Sequence, residues 1–553
     1  MAQNSSKEVF GEAVSKVLAF LIRAFLIFPL KVVAPISVIH VAYKLWCLLR
    51  SKKGINITLL LKRIAEGWLA TEFFFLIYYK YASNKLQKRI YRKIPKVDIN
   101  TVKRCFDAIS IYEGANYSEL EIVGSDHNRD KISCTELVNL ESYLRSTADQ
   151  HKAPDDILIF DNDEILALKR GYVRGWFLGA ELEDIKRENA VEWIAWAFFH
   201  SEMDELKGIK HAEEQVENIV QLIEDWAKIK LDSGYNSNTT CMRLNLDPVI
   251  SSHRPLLYYL VTSGVFSVLL KAVLNYEGFT KHKSGSLAYW HYKPTIALDT
   301  GSKNYPPIVF CHGLGVGVLP YINFILELMK HNPGREIFLI QLPNISMTIK
   351  EDVHGSTELV SCIELMLHTW GFDSAHFVGH SFGSVVMAYV CKKRKEIMAA
   401  ATFLDPVCFL LCKPDVSYNF IYREAEKPTH LLLKYFVAEE LYTAHSLSRY
   451  FHWDECILWP EDLEGIPTVV GVSANDSVVP SHSVYRYLTA YKTKNKECQI
   501  RPMFFKNLGH TECMWPHNYR IRKDIFKEME GLDVEFLSAT KSKAEELNQY
   551  QCI

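Results

Sequence analysis

The segment FVGHSFGSVV, residues 377–386, places one serine between two glycines inside an otherwise apolar run. The residues before Ser381 predict a buried β-strand, and those after it predict a helix that begins near Gly383. A G-x-S-x-G segment at a sharp strand-to-helix turn projects the serine hydroxyl above the sheet, because glycines leave room for a close backbone approach. The sequence therefore predicts a nucleophilic Ser381, with Gly379 and Gly383 permitting the turn.

Strand-like and helix-like segments alternate on both sides of this turn. Short apolar runs predict strands, and runs with a 3.6-residue apolar period predict helices. The predicted strands cover 286–294, 306–313, 336–343, 375–381, 400–407, 467–476 and 499–510, and the predicted helices cover 317–330, 356–372 and 383–393. This alternation predicts an α/β fold with a mostly parallel sheet, helices on both faces and a ligand site at the carboxyl ends of the strands.

A serine hydroxyl needs a base to accept its proton and an acid to orient that base. Asp476 follows a valine-rich strand, and His510 stands at the end of the last predicted strand. The order Ser381, Asp476, His510 is expected for this architecture, so we predict these three as the catalytic residues. Asp405, after the strand that follows the nucleophile helix, stays open as an alternative acid. Weaker candidates for the base are His376, His380 and His482.

Acyl transfer also builds negative charge on the former carbonyl oxygen. Hydrogen-bond donors must already point to the position of this oxygen to stabilise the charge. The residue after the serine, Phe382, supplies one backbone amide, and the loop HGLGVG (312–317) after the earlier strand supplies the second, from Leu314. His312 is predicted to buttress this loop and not to react. Close backbone approach is allowed by the loop glycines Gly313, Gly315 and Gly317.

Composition argues against several classes of function. The 63 Lys and Arg residues against 65 Asp and Glu residues give a net charge of −2, without the basic field that nucleic-acid binding usually requires. The thirteen cysteines contain no C-x-x-C pair and no zinc-type spacing, which favours reduced thiols in a cytosol-facing domain. We expect no nucleic-acid partner, no metal and no cofactor.

Apolar segments precede the α/β region. Residues 17–50 and 68–82 each approach the length of a membrane span, but charged residues interrupt both. A third apolar stretch, 254–279, is predicted as an interfacial or packing helix. These segments predict association with a membrane, such as the endoplasmic reticulum. Whether the first two span the bilayer or lie on it as a helical hairpin stays open.

The chain divides into five predicted regions. They are an apolar membrane-associated region (1–98), a helical accessory region (99–250), an apolar connecting helix (251–284), a catalytic domain (285–535) and a polar C-terminal tail (536–553). Residues 231–245, rich in serine and asparagine, predict an exposed linker. Residues at about 408–465 form a long aromatic-rich insertion, predicted as a helical cap that excludes water and contacts an acyl chain.

The segment 306–515 resembles the α/β-hydrolase superfamily through PPIVFCHGLGVG, VGHSFGS, ANDSVVP and LGHTE, in the matching order. A longer pattern is similar to little-characterised eukaryotic, notably fungal, members with apolar N-terminal segments. The resemblance implies the α/β-hydrolase fold but no substrate. Serine at 381 argues against haloalkane dehalogenases and epoxide hydrolases, whose nucleophile is Asp. An H-x-x-x-x-D acyltransferase motif is absent after His510, where Trp515 stands.

The expected function is that of a membrane-associated serine hydrolase, of esterase or lipase type, acting on an apolar acyl ester or lipid. Two alternatives stay open: an acyltransferase with the same triad, and a non-catalytic receptor or scaffold that keeps the fold. The sequon Asn475-Asp476-Ser477 would place a glycan beside the predicted acid in a lumenal domain, which favours the cytosolic face. The oligomeric state stays open.

Overall fold

An eight-stranded sheet forms the centre of the molecule. The structure is a computed structural model and describes residues 14–48, 58–110, 162–294 and 305–551. The part of the predicted accessory region between 111 and 161 lies outside the described residues. The strands are β1 (Phe279–Ser284), β2 (Leu287–Tyr292), β3 (Ile308–Cys311), β4 (Ile337–Gln341), β5 (Ala375–His380), β6 (Met398–Leu404), β7 (Thr468–Ser473) and β8 (Ile500–Phe505).

Long helices precede, cover and follow the sheet. Within the described residues, those of ten or more residues are α1 (Phe28–Leu48), α2 (Thr58–Leu86), α3 (Ile99–Ile109), α4 (Asn162–Trp176), α5 (Arg187–Phe199), α6 (Lys210–Ala227), α7 (Phe266–Tyr276), α8 (Ile322–His331), α9 (Ser356–Thr369), α10 (Gly383–Lys393), α11 (Leu441–Tyr450), α12 (Ser481–Lys494) and α13 (Tyr519–Gln551). Shorter α-helical or π-helical pieces are Ile22–Ile27, Met203–Leu206, Leu256–Tyr259, Leu260–Val265, Asp415–Ser417, Tyr418–Tyr422, Pro428–Leu432, Leu433–Ala438 and Trp453–Cys456. Turns of 3₁₀-helix are Leu182–Asp184, Leu319–Tyr321, Pro343–Ile345, Lys395–Ile397, Pro460–Leu463, Glu512–Met514 and Pro516–Asn518.

The order of the strands locates the site. It runs β1-β2-β4-β3-β5-β6-β7-β8, with β1, β2 and β4 paired antiparallel and the remaining pairs parallel. The mostly parallel sheet is therefore confirmed. From β3 the chain goes to β4 on one side and then to β5 on the other, so a crevice opens at the carboxyl ends of β3 and β5, where ligands of open α/β sheets bind.

Helices cover both faces of the sheet, as predicted. Side chains alternate across a strand, so neighbouring residues of β3 enter different cores. Ile308 and Phe310 belong to a core shared with α7, α8 and α13, whereas Val309 and Cys311 belong to a core shared with α9, α10 and α12. The central strands are buried along their full lengths, which explains their near-continuous apolar sequences.

The sheet extends beyond the predicted boundary at residue 285. Strand β1 lies inside the segment predicted as a connecting helix, 251–284, and that helix ends at Tyr276. The sequence of β1, FTKHKS, lacks an apolar period because only its terminal residues, Phe279 and Ser284, are buried on this edge strand. The polar tail predicted at 536–553 continues α13 as far as Gln551.

The segment 231–245, predicted as an exposed linker, is exposed over most of 232–240 but is anchored at buried positions. Thr239, Cys241 and Met242 are buried, and the side-chain amide of Asn189 donates to the carbonyl oxygens of Asn236 and Thr239, each at 3.0 Å. Hydrogen bonds to α5 thus anchor the segment, while most of its polar side chains between 232 and 240 are exposed. Helices α3 to α6 share one core with the sheet and the cap.

Two helices among the described residues are long and apolar enough to cross a membrane, Val14–Trp46 and Leu256–Tyr276. The run at 68–82 lies in α2 and is not one of them. Its Glu72 is buried and accepts from the backbone amides of Leu256 and Leu257, at 2.9 and 3.3 Å. This carboxylate therefore holds the start of the third apolar helix and does not face lipid.

Candidate active site

Ser381 occupies the turn between β5 and α10 in a left-handed conformation, with φ of 51°. Both glycines of the segment stand where a side chain has no room. A Cβ at Gly383 would overlap the carbonyl oxygen of Cys311, and one at Gly379 would overlap the sulfur of Met387. A strained non-glycine residue persists only where its surroundings hold it, and such residues cluster at functional sites.

The structure brings Ser381, Asp476 and His510 together, although they are far apart in sequence. The hydroxyl Oγ of Ser381 lies 3.0 Å from Nε2 of His510, and Nδ1 of His510 lies 2.6 Å from Oδ2 of Asp476. The other carboxylate oxygen, Oδ1, accepts from the backbone amides of Val478 and Val479 at 2.7 and 2.9 Å. The Asp476 carboxylate is thus fixed in place and orients the imidazole toward the serine.

The charge environment of His510 favours its protonated form. Burial alone lowers the pKa of this imidazole, but the adjacent Asp476 carboxylate, through its charge and its hydrogen bond, and the Asp405 charge outweigh burial and raise the pKa to about 9. An imidazole with a raised pKa binds a proton strongly. It is a strong acceptor for the hydroxyl proton of Ser381 once it is neutral.

Asp405 is close to His510 but does not orient it. Its Oδ1 accepts from the amide of Ser473 at 2.8 Å, and its Oδ2 accepts from the amide of Thr511 at 2.9 Å. Burial first, and the neighbouring charge of Asp476 second, raise the pKa of Asp405 to about 6. The residue considered as the alternative acid therefore joins the end of β7 to the loop that carries His510.

The loop 312–317 follows β3 and passes beside the serine. Nε2 of His312 accepts from the amide of Leu342 at 3.2 Å, so its Nδ1 carries the proton and donates to the carbonyl of Gly313 at 2.8 Å. Burial lowers the pKa of His312 to about 4, which keeps the ring neutral. His312 thus fastens the loop to the end of β4. Gly315 has φ of 141°, a conformation open to glycine.

Tyr321 is a member of the site that the sequence did not indicate. Its hydroxyl accepts from the amide of Gly313 at 3.0 Å and lies 2.9 Å from Nδ1 of His380. A Cβ at Gly313 would come within 2.9 Å of that hydroxyl, so a glycine is needed there. Burial and the charge of His510 lower the pKa of His380 well below its ordinary value, so His380 stays neutral beside the imidazole of His510.

The hydroxyl of Ser381 opens into an apolar cleft of about 450 Å³, part of it open to solvent. Leu314 and Phe382, the residues predicted to supply amide donors, line the cleft next to the serine. Most of the opposite wall comes from the cap, through Val416, Ser417, Phe420, Ile421, Leu447 and Phe451. The region 408–465 is largely helical where it contributes these residues to the cleft.

One cleft residue comes from outside the α/β domain and its cap. Leu244 lies in the segment that was predicted as a linker, and it packs against the cleft from the accessory region. The adjacent Asn245 donates its side-chain amide to the carbonyl of Phe451 at 2.9 Å, which fixes this segment to the end of α11. No apolar period surrounds Leu244, so no signal in the sequence could have placed it at the site.

The donor atoms of His380, Asp405 and His510 lie within 4.8 Å of one another, a grouping that could hold a metal ion. Hydrogen bonds already engage both nitrogens of His510 and both oxygens of Asp405. This group is therefore part of the serine site. His376, a weaker candidate for the base, instead contacts Asp533 and Thr402 at 2.8 and 2.9 Å.

Residues 306–432 match the model of a family described as alpha/beta hydrolase fold. This match supports membership of the α/β-hydrolase superfamily for the matched segment. The strand order and the turn at Ser381 place the α/β-hydrolase fold over residues 279–551, beyond the matched segment. No match is found among curated protein sequences.

Several solved structures are similar to about half of the chain. A membrane phospholipase A, described as a bacterial virulence factor, is 15% identical, with 49% of this chain and 94% of that chain covered and a TM-score of 0.34. A carboxylesterase from Bacillus subtilis is 10% identical, with 48% and 97% covered and a TM-score of 0.32. A putative lipase from Acinetobacter baumannii is 13% identical, with 50% and 97% covered and a TM-score of 0.34.

Proposed function

We propose that the protein is a membrane-associated serine hydrolase that cleaves apolar acyl esters through an acyl-enzyme at Ser381. The observation that carries this proposal is the position of His510, within hydrogen-bond distance of both the Ser381 hydroxyl and the Asp476 carboxylate. Geometry of this kind activates a serine, because the imidazole accepts the hydroxyl proton while the carboxylate stabilises the imidazolium that forms.

The reaction runs in two halves. Oγ of Ser381 adds to the ester carbonyl as its proton passes to Nε2 of His510, and the bond to the alcohol oxygen then breaks as His510 returns that proton to the leaving alcohol. A water molecule next gives a proton to His510 and adds to the acyl carbon. The bond to Oγ breaks, the proton returns to Ser381, and a carboxylic acid leaves.

Negative charge develops on the carbonyl oxygen in both halves. The amides of Phe382 and Leu314 are the proposed donors, since both residues border the cleft beside Ser381. Their positions are supported by fixed neighbours: His312 fastens the loop that carries Leu314, and the turn at Ser381 places Phe382 at the start of α10. Donors held in advance need no rearrangement when the charge appears.

The lining of the cleft favours an apolar acyl group as the part of the substrate that binds there. Twelve residues line the cleft, and the ten besides Ser381 and Ser417 are all apolar: Leu244, Leu314, Phe382, Val407, Val416, Phe420, Ile421, Leu447, Phe451 and Val478. A site for a sugar or a peptide would be expected to include polar side chains among them. Burying an acyl chain against such a surface is favourable by about 0.8 kcal/mol for each methylene. The exposed apolar helices support the delivery of such a substrate from a membrane.

Labelling with a fluorophosphonate probe tests the proposal. The full chain in detergent is expected to react, whereas Ser381→Ala and His510→Ala are expected to lose labelling and to lower the turnover of an acyl ester by about 10⁴-fold or more. A matched control is His331→Ala, since His331 is exposed on α8 and far from the serine in the fold. A wild-type chain that is folded by circular dichroism but does not react would refute the proposal.

A further inference from the structure

A buried tyrosine lies between the glycine loop after β3 and the turn that carries the serine. Tyr321 is the last residue of the 3₁₀ turn before α8. Its ring packs against the rings of Phe310 and His380, with centroids 5.2 and 5.5 Å apart. The two halves of ester hydrolysis need no proton from this residue. Packing against these two rings nevertheless holds its hydroxyl at one position.

The hydroxyl of Tyr321 has a donor on one side and an acceptor on the other. It accepts from the backbone amide of Gly313 at 3.0 Å and lies 2.9 Å from Nδ1 of His380. Because burial and the charge of His510 hold the pKa of His380 well below its ordinary value, this imidazole is neutral and has one acceptor nitrogen. The amide of Gly313 cannot accept, so the hydroxyl donates its proton to Nδ1 of His380. Both partners together fix the hydroxyl and, through it, the Gly313 amide.

The carbonyl of Gly313 is held as well as its amide. It accepts from Nδ1 of His312 at 2.8 Å, and Nε2 of the same ring accepts from the amide of Leu342 at 3.2 Å. The peptide bond between Gly313 and Leu314 is trans, so the Leu314 amide points in the direction opposite to this carbonyl. Tyr321 and His312 therefore orient the peptide groups on the two sides of Gly313, and with them the Leu314 amide.

The Leu314 amide has the position and the free donor that an oxyanion needs. Gly313 approaches the nucleophile closely, since a Cβ there would lie 3.0 Å from Cβ of Ser381. Leu314 itself lines the cleft beside this serine, whereas Tyr321 does not line it. Among the residues that the structure describes, no protein group accepts from the Leu314 amide. This amide is therefore available to an oxygen atom in the cleft.

We propose that Tyr321 is a positioning residue for the oxyanion: its hydroxyl turns the Gly313 amide away from the cleft, so that the Leu314 amide faces the carbonyl oxygen of the ester. This inference rests on the proposed function and adds to it a residue that touches neither the substrate nor the reacting atoms. Without the hydroxyl, the Gly313 amide loses its buried partner and the loop is free to turn. The developing charge would then meet a donor that must first rearrange, which weakens its stabilisation.

The Tyr321→Phe variant removes this hydroxyl and keeps the ring. We expect kcat for a p-nitrophenyl acyl ester to fall about tenfold to a hundredfold, with KM changed by less than about twofold, when the full chain is assayed in detergent. The loss is smaller than for deletion of a donor, because the Leu314 amide is displaced and not removed. End-point titration with a fluorophosphonate counts the reactive serines, so that unfolded protein does not enter the comparison.

A trifluoromethyl ketone with the same acyl chain gives a readout that a merely structural role would not change. Oγ of Ser381 adds to its carbonyl carbon as the hydroxyl proton passes to Nε2 of His510, which leaves an oxyanion where the proposed donors lie. For Tyr321→Phe the inhibition constant should rise by the factor by which kcat/KM falls, because both depend on binding of the oxyanion. An unchanged inhibition constant would overturn the inference; a pH–rate profile that moved with it unchanged would mean that Tyr321 acts on His510 through His380.

The matched control is Tyr289→Phe, which also removes a buried, hydrogen-bonded hydroxyl. Tyr289 lies on β2, three positions from β5 in the sheet, and its hydroxyl accepts from the indole of Trp370 at 3.0 Å. This variant should keep the wild-type kcat and inhibition constant for each reactive serine. Equal losses in both variants would contradict a specific role for Tyr321. Failure of the proposed function is distinct from either result, because the wild type would then neither label nor cleave the ester.

Discussion

Three residues of the site adopt left-handed backbone conformations, and the side chain of one of them holds another in place. Ser381, Asp405 and Thr511 have φ of 51°, 44° and 78°. Each such conformation costs about 1 to 3 kcal/mol in a non-glycine residue and needs support from its surroundings. The Asp405 carboxylate gives that support to Thr511, because its two oxygens accept from the amides of Ser473 and Thr511 and so fix the loop of His510 to the sheet.

The Asp405→Asn substitution is expected to change the pH dependence of hydrolysis. The base must be neutral, so with the pKa of His510 at about 9, kcat/KM should rise about tenfold for each pH unit between pH 6 and 8 and level off near pH 9. The Asp405 charge helps to raise this pKa, so the substitution should lower the pKa and move the rising limb to lower pH. Measured pH–rate profiles check this.

Asp524→Asn, on the exposed side of α13, is the control for that experiment and should keep the wild-type profile. If the rising limb of the pH–rate profile is the same for Asp405→Asn and the wild type, the charge of Asp405 does not act on His510. Thermal unfolding of both variants separates this electrostatic effect from a loss of folded protein.

The Gly383→Ala substitution is expected to destabilise the fold. Its methyl group would overlap the carbonyl oxygen of Cys311, a backbone atom of the buried strand β3 that cannot move aside as a flexible side chain could. Overpacking of this kind costs about 1 to 3 kcal/mol. Chemical denaturation measures the change. Gly355→Ala is the control, because no atom lies within 4 Å of a Cβ there, and an equal loss in both variants would contradict the steric argument.

The residues of the site differ in how well sequence predicts them. Ser381, Asp476 and His510 follow strands in a fixed order, so local patterns and strand order suffice to place them in one crevice. Tyr321 joins Gly313 to His380 through contacts that depend on how α8 packs on the sheet. Such contacts arise only in three dimensions and leave no periodic signal.

Helix α11 forms much of the cap, and one side chain fixes it to the rest of the chain. Arg449 is buried and donates to five carbonyl oxygens, at distances between 2.7 and 3.3 Å. The acceptors belong to three segments: Gln87 and Lys88 after α2, Asn245 and Asp247 of the accessory region, and Ser448 of α11 itself. The cap is thus joined to parts of the chain that precede the α/β domain.

The Arg449→Lys substitution is expected to lower the free energy of unfolding by about 2 to 4 kcal/mol. A single ammonium group offers three donors at one point and cannot reach carbonyls that surround a planar guanidinium, so several buried acceptors lose their partners. Denaturation by urea measures the loss. Arg520→Lys, at an exposed position of α13, should change stability by less than about 0.5 kcal/mol. Equal stability of both variants would show that α11 does not depend on this guanidinium.

The elements that the sequence did not predict share one physical cause. Strand β1 is a polar edge strand, paired on one side only, and so carries no apolar alternation. Residues 231–245 are mostly polar, yet hydrogen bonds from Asn189 to the carbonyl oxygens of Asn236 and Thr239 fix the segment beside buried positions. An apolar period in a sequence indicates buried apolar side chains. It gives no signal where polar groups form the buried structure or the strand pairing.

At the scale of the whole molecule, the apolar helices present an extended surface that the protein itself does not cover. Exposed fractions reach 75% for Phe25 before α1, 68% for Phe74 in α2 and 70% for Val268 in α7. Three exposed helices of this kind exceed the apolar patches usual on soluble monomers, and such surfaces mark contact with partners or lipid. The same helices contact the cap, where Tyr259 donates its hydroxyl to Glu440 at 2.7 Å.

We expect the double variant Phe25→Glu, Val268→Glu to bind membranes at least about tenfold more weakly than the wild type. Each glutamate places a charge where an apolar side chain would face lipid, at a cost of up to about 3 kcal/mol. Co-flotation of the purified chain with phosphatidylcholine vesicles, after detergent removal, measures the partition. Ser538→Glu, Thr540→Glu adds the same two charges to the exposed side of α13 and should float like the wild type.

Probe labelling in detergent is the companion measurement, because detergent replaces the bilayer and leaves the serine site intact. Both double variants should label like the wild type, which would separate membrane contact from catalysis. Equal flotation of the two variants would contradict a lipid-facing role for these helices. Since the apolar helix Leu256–Tyr276 contacts the cap through Tyr259 and Glu440, weaker flotation with unchanged labelling would place the lipid surface directly beside the cap.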